Sequence, residues 1–532
     1  VERYIHTRSG QDATIIPMKN TRAQRMHSSP LLLTRRQAIQ TALAATAATL
    51  LSGCGSASTT SSGTGTSGGP SQQPTPAGPI SSVSLTVSSS VVGSIGPAFA
   101  GLSYEKSALY EPLFTGSNSN LISLFKRVGP GVLRIGGNSV DRNVWTPAGP
   151  GQTVGQIAPS DVDALAAFLQ ASGWQCLYGI NLGGSGPAPY TSGSITAATT
   201  PALAAAEVAY VASKLGSSLL GIEIGNEPDL YGNSYYTGTT WNVSALETVW
   251  DQFRIAILAQ TPGVSITGPA DAGNESKWTV PFGQWATKNK ISLLTQHYYR
   301  GNGQSASSTA ANLITPDTNL VNDLATLKAG AQAIGIPYRM AECNSYYNGG
   351  ASGVSNSYAS SLWVIDYLFD CALGGASGVN FHGGGGGSGY TPIADSGGTV
   401  IGPRPEYYGI FFFTLAGQGS LLNTALSAGS LNATAYAVET SSGGLNLIVS
   451  NKDLTNNLSL TIQLPQSATS ATLIQLSQQS ADLTATSGVT IQGASIGTDG
   501  SFSAGSAYAL STGGTHLGCY VPALSAVLIQ IS

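Results

Sequence analysis

Eight short apolar runs alternate with longer stretches of helical periodicity between residues 99 and 381, and this alternation narrows the fold more than any other feature of the chain. The runs fall at 99–104, 132–135, 176–182, 219–225, 264–268, 293–298, 338–341 and 378–381. Runs of this length, apolar nearly throughout, suit strands buried on both faces. Helical patterns at 161–172, 201–215, 245–260, 319–333 and 357–373 supply crossovers between them. Eight strands joined by helices predict an α/β fold, a closed (β/α)₈ TIM barrel. An open doubly wound sheet would carry a phosphate-binding turn after its first strand, and none follows residue 104.

From about residue 421 the pattern changes to alternating runs at 434–439, 445–450, 458–464, 471–476 and 523–531, broken by Gly, Ser, Asn and Asp. This predicts an all-β domain, a sandwich, over 419–532. A strand-like segment at 81–94 precedes the barrel (95–418) and is expected to pair with that domain. Residues 55–80 are rich in Ser, Thr, Gly, Gln and Pro without charge, which describes a tether. Residues 1–54 read as an export signal: Arg35-Arg36 precedes an apolar run from Ala38 to Leu51, followed by Gly53-Cys54. The pattern resembles a twin-arginine signal with a lipobox, so a lipid anchor at Cys54 and a periplasmic or cell-surface location are expected. Only 9 % of residues are charged, and residues 55–532 hold 15 basic and 24 acidic side chains, or −9. That balance argues against a nucleic-acid partner, since nothing would neutralise phosphates.

Functional groups of such a barrel gather at the carboxyl ends of its strands. Two segments there end on carboxylates: Gly-Ile-Glu-Ile-Gly-Asn-Glu-Pro, with Glu227 on the fourth strand, and Tyr-Arg-Met-Ala-Glu-Cys-Asn, with Glu342 on the seventh. Paired carboxylates at neighbouring strand ends are the parts for glycoside hydrolysis. Glu105 follows strand one, Asn138 and Asp141 strand two, His297-Tyr298-Tyr299 ends strand six and His382 strand eight. Strand alternation puts Glu223 and Arg134 inside the barrel, where an internal ion pair with a structural role is expected. Cys343, beside Glu342, reads as a small buried residue and not as a thiol nucleophile, and the four cysteines after Cys54 fit neither a zinc site nor a disulfide framework. The Gly-x-Gly-x-x-Gly match at Gly384, Gly386 and Gly389 is read as chance, since no helix is predicted to open after it.

These residues resemble the retaining glycosidase superfamily, and more narrowly glycoside hydrolase family 79, which includes β-glucuronidases and heparanase. The resemblance covers roughly 81–532 and rests on Leu133–Asn138, Asn226-Glu227-Pro228, His297-Tyr298-Tyr299, Glu342, Tyr347-Asn348-Gly349-Gly350 and Tyr390. It implies Glu227 as general acid/base and Glu342 as nucleophile. It implies that Asn226 holds the sugar 2-hydroxyl, that Glu105 and Asn138 bind hydroxyls, and that Tyr298 lies between nucleophile and sugar. Backbone NH groups near Gly349 and Gly350, with Tyr390 and Tyr347, would receive a glucuronate carboxylate, and His382 would line the same pocket. No metal or other cofactor is implied. Asn348, where a glycine often precedes the pair, and His382, at a variable position, depart from the pattern and bear on the choice of uronate. The expectation is an exo-acting retaining β-glucuronidase. The alternatives are a neutral β-glycosidase, an endo-acting glucuronidase on a polysaccharide, or a non-catalytic carbohydrate-binding surface protein.

Overall fold

The computed structural model describes residues 71–386 and 389–532; the expected export signal, Cys54 and most of the tether lie outside the described residues. Eight parallel strands close into a barrel: Ala100–Glu105, Val132–Gly136, Gln175–Ile180, Leu219–Ile224, Ile266–Asp271, Leu293–Tyr299, Tyr338–Asn344 and Val379–Gly383. They are numbered one to eight below. Each pairs with the next in chain order, and strand eight returns to strand one with Val379 opposite Ala100. The sequence places all eight runs within a few residues of these strands.

The helices outside the barrel start and stop where local chemistry dictates. In Pro201–Leu215 the Thr200 hydroxyl accepts from the Leu203 NH, and proline opens the first turn. This satisfies or removes otherwise orphaned donors. Thr318–Ile334 begins on the Asp317 carboxylate and ends at Gly335 in a left-handed conformation, the usual glycine stop. Helices Ser119–Val128, Thr279–Lys290 and Pro405–Thr414 were not among the predicted ones. The last is buried on all sides between the barrel and the β domain, so it lacks the polar face that makes helical periodicity visible.

The strand Ile80–Ile95 lies between two carboxyl-terminal strands, antiparallel to Gly419–Ser427 and parallel to Asn457–Gln463. The β domain is one connected eleven-stranded sheet, curled so that strands near its two ends share a core. This differs from the two separate sheets of a sandwich. The reason is the inserted strand 80–95, which bridges hydrogen bonding between what would have been two halves. Alternation then sorts the side chains. Leu447, Val449, Val527 and Ile529 fill the domain's own core, while Ile448, Ala526 and Leu528 pack with the barrel's helices. Leu85, fully buried in the inserted strand, touches that first core. Leu85→Ala is expected to cost about 2–5 kcal/mol, read as a fall in the urea midpoint; an unchanged midpoint would mean that the strand is not integral to the sheet.

Candidate active site

Arg134 rises from strand two into the barrel and is fully buried. Its Nε donates to Glu223 at 2.6 Å, its Nη1 to Glu342 at 2.7 Å and its Nη2 to the Asn226 side-chain oxygen at 2.9 Å. The expected Arg134–Glu223 pair is present, and the same guanidinium also reaches the carboxylate at the end of strand seven. Glu342 accepts a second hydrogen bond, 2.7 Å, from the Tyr299 hydroxyl, and His382 Nδ1 stands 3.7 Å away. Burial pushes the Glu342 carboxyl up. The imidazoles of His382 and His297, the Arg134 guanidinium and the Tyr299 hydroxyl outweigh this and hold it well below the usual carboxylate range. Glu342 is thus an ionised group, oriented by two donors, at the floor of the barrel mouth.

Glu227 is held differently. It takes a left-handed backbone conformation, φ +52°, which is uncommon for a residue with a side chain and stores strain of about 1–3 kcal/mol. Its NH donates to the Ala270 carbonyl at 2.9 Å, and Pro228 opens a short helix directly after it. These tie the bend to strand five and turn the carboxyl toward the mouth. His297 Nδ1 lies 3.1 Å from its Oε1. Atoms of Glu227, His297 and Glu342, one from each, all lie within 4.8 Å of one another. The two carboxylates, 115 residues apart in sequence, are therefore brought within 4.8 Å of each other. As a metal site this trio is poor: both Glu342 oxygens are occupied, and the Arg134 charge repels a cation.

The other predicted residues divide. Glu105 accepts from the Ser139 NH at 2.7 Å and its hydroxyl at 2.6 Å, and its Oε1 lies 3.7 Å from His382 Nε2. Burial pushes Glu105 up, yet His382 and Ser139 bring it below the ordinary value. His382 also meets the Ser103 hydroxyl at 3.0 Å. Burial would lower its pKa, but Glu342 and Glu105 raise it. Asn226 faces Arg134, and Asn138 lies exposed just after strand two. Tyr390 packs against Tyr299 and His382, with ring centroids 5.7 and 6.0 Å apart. Asn348, Gly349 and Gly350 all have positive φ, and the Gly349 carbonyl accepts from the Tyr390 NH at 3.3 Å. A side chain at Gly350 would press a Cβ within 2.6 Å of that nitrogen, so only glycine permits the approach. Tyr347 leaves its ring largely exposed at the rim.

Tyr298 is a correction. Its hydroxyl donates to Asp317 at 2.7 Å and its ring stacks on Tyr367, in the helical layer outside the barrel. The tyrosine that reaches Glu342 is Tyr299. The reason is the two-residue period of a strand: with His297 pointing in, Tyr298 must point out and Tyr299 in. That signal was available in the sequence, as was the Arg134–Glu342 contact, since residue 134 sits one layer below the mouth. Cys343 points outward by the same rule, buried with Sγ 3.4 Å from the Asn380 carbonyl. Burial pushes its thiol well up, so it offers no thiolate. After Gly384 comes a strand pair, Ile393–Ser396 with Thr399–Pro403, and not a helix.

Removing Arg134 should expose how these charges depend on it. Arg134→Met leaves two buried carboxylates without their cation and is expected to destabilise the fold by about 3–5 kcal/mol at neutral pH. The low pKa of Glu342 contributes stability above its unfolded value, about 4.3, and that contribution is lost as pH falls through the folded value. The gap between variant and wild type should therefore narrow on acidification, as measured by urea unfolding at pH 7 and pH 4. An equal gap at both would mean that Arg134 acts by packing alone.

No protein-family model matches the chain. It is 28 % identical over 218 residues to a β-glucuronidase of Aspergillus niger, covering 36 % of this chain and 40 % of that protein. It is 27 % identical over 316 residues to a β-glucuronidase of Neurospora crassa, covering 52 % of this chain and 54 % of that protein. The chain thus spans about half the length of the curated relatives it matches. Among solved structures, a 4-O-α-L-rhamnosyl-β-D-glucuronidase from Fusarium oxysporum superposes with a TM-score of 0.68 at 20 % identity, over 84 % of this chain and 99 % of that one. A glycoside hydrolase family 51 arabinofuranosidase from Xanthomonas axonopodis pv. citri gives 0.60 at 14 % identity, over 85 % and 100 %. In sequence the chain is similar to β-glucuronidases over about half their length, and in fold it is similar to these solved glycosidase structures.

Proposed function

We propose that the protein is an exo-acting, retaining β-glucuronidase. The observation that carries this is the pair Glu227 and Glu342, brought within 4.8 Å at the ends of strands four and seven, in a chain similar to β-glucuronidases. Retaining enzymes hold their carboxyl groups about 5–5.5 Å apart and inverting ones roughly 6.5–9.5 Å, and this spacing favours retention. Glu342, ionised and aimed by Arg134 and Tyr299, attacks the anomeric carbon. Glu227 gives its proton to the departing glycosidic oxygen, and a glycosyl ester forms on Glu342. Water then attacks the anomeric carbon while Glu227 takes back a proton, and the ester bond to Glu342 breaks. Two displacements restore the β configuration.

In this reading the substrate is a β-D-glucuronide, with its carboxylate in the turn of Gly349 and Gly350 beside Tyr390. The NH groups of both glycines donate to no acceptor among the described residues, as an anion-binding nest requires. The acidic balance of the chain disfavours an endo enzyme gripping a long polyanion. The same reading takes the enzyme to be exported, on the strength of Arg35-Arg36 and the apolar run to Leu51 in sequence.

A panel of 4-nitrophenyl glycosides tests the proposal. Donors left unpaired by a neutral sugar cost about 1–3 kcal/mol each, so the glucuronide should exceed the glucoside by two orders of magnitude or more in kcat/KM, and proton NMR should detect the β-anomer of glucuronate first. Comparable rates on glucoside would reduce the assignment to a neutral β-glycosidase, an initial α-anomer would remove retention, and silence on the whole panel would favour a binding protein. Glu227→Ala should slow alkyl glucuronides far more than the nitrophenyl substrate, by about 10²–10⁴-fold, with partial rescue by azide. Equal losses for both leaving groups would remove Glu227 from the acid/base role.

A further inference from the structure

In the segment after strand two stands a cation without a counter-charge among the described residues. Arg142 follows strand two and is exposed, with its guanidinium 5.2 Å from the ring centroid of Tyr190, also exposed, and beside the Tyr235 hydroxyl. Tyr190 and Tyr235 come from the segments after strands three and four. Arg142 pairs with no carboxylate among the described residues. Its neighbour Asp141 cannot neutralise it, because that carboxylate is buried and accepts from the Leu182 NH, the Gly183 NH and the Tyr231 hydroxyl.

Those bonds also fix where the cation sits. The Tyr231 hydroxyl, 2.5 Å from Asp141, accepts from the Asn226 NH at 3.1 Å. Asp141 thus clamps the segments after strands two, three and four together, one residue from Arg142 at one end and one residue from Glu227 at the other. Tyr235 is seated on Gly183, where a Cβ would come within 2.6 Å of its ring, so the aromatic surface is built in and not a mobile decoration. Of the groups assigned to the cleaved sugar, Glu105, Gly349, Gly350, His382 and Tyr390 come from strands one, seven and eight or the segments after them, and Asn138 and Asn226 follow strands two and four. The platform lies on the segments after strands two to four, and strand four also carries Glu227, the proposed proton donor to the leaving group.

We infer that Arg142, Tyr190 and Tyr235 form a subsite for an anionic sugar on the leaving-group side of the scissile bond. An aromatic face takes the apolar face of a pyranose ring, and an unpaired guanidinium takes the carboxylate or sulfate it carries. The inference rests on the glucuronidase reading and narrows its natural substrate to glycans in which the cleaved unit adjoins an acidic one.

The test compares two disaccharides, glucuronate β-linked to glucuronate and glucuronate β-linked to glucose, in wild type, Arg142→Gln and Tyr190→Ala. Wild type should favour the acidic disaccharide about three- to tenfold through KM, the scale of a partly exposed charge contact, and about 0.5 M salt should erode the preference. Arg142→Gln should bring the ratio to near one. Tyr190→Ala should raise KM for both disaccharides and keep the preference. A wild-type ratio near one, or a ratio unmoved by Arg142→Gln, would overturn the subsite. Failure of wild type to cleave 4-nitrophenyl β-glucuronide would instead overturn the reading beneath it.

Discussion

One buried guanidinium holds the site together. Arg134 occupies the barrel interior without solvent and is tolerable there only because Glu223 and Glu342 surround it. An isolated charge at that depth would cost several kcal/mol, and so would either carboxylate alone. The three are mutually required, and the geometry that satisfies them spans strands two, four and seven. The position and charge of Glu342 are therefore tied to strands two and four as well as to its own. Asn226 uses the remaining Nη2, so the residue preceding Glu227 is set by the same group.

The two carboxylates are treated unequally, in a way that fits the roles proposed for them. Glu342 sits within its strand, where the register shifts against both neighbours, and accepts from an arginine and a tyrosine, both of which favour its charged form. Glu227 sits past the end of its strand on a strained backbone, with a single imidazole neighbour and more of its side chain open. A nucleophile must be ionised and aimed before substrate arrives. An acid/base must exchange a proton with groups that come and go, which needs access more than it needs fixed donors. The arrangement matches that division without appeal to any relative.

Much of this was legible in the sequence because buried parallel strands write themselves as apolar runs, and eight of them admit few closures. Glu227 and Glu342 could be read because each ends such a run. What escaped notice had physical causes. The family resemblance points to Tyr298, whereas strand alternation from His297 points to Tyr299. The helix Pro405–Thr414 has no polar face to mark it. The joining of the β domain into one curled sheet depends on a strand more than 300 residues away in sequence, and long-range pairing leaves no local trace. In sequence Asp141 is only a polar residue at a strand end, since its three partners lie on two other segments.

The β domain and the barrel are also less separable than their sequences suggest. The chain begins the sheet at Ile80–Ile95, runs the entire barrel, and returns to close it. Residues of alternate parity on the same strands serve the two cores, with Leu447 and Val449 inward and Ile448 toward the barrel. A helix such as Pro405–Thr414, buried on every side, is stable only between two such layers. The β domain is in this sense the cover that lets the last barrel helices be buried, and strand eight, which carries His382 into the site, runs directly into the segment that this cover holds in place.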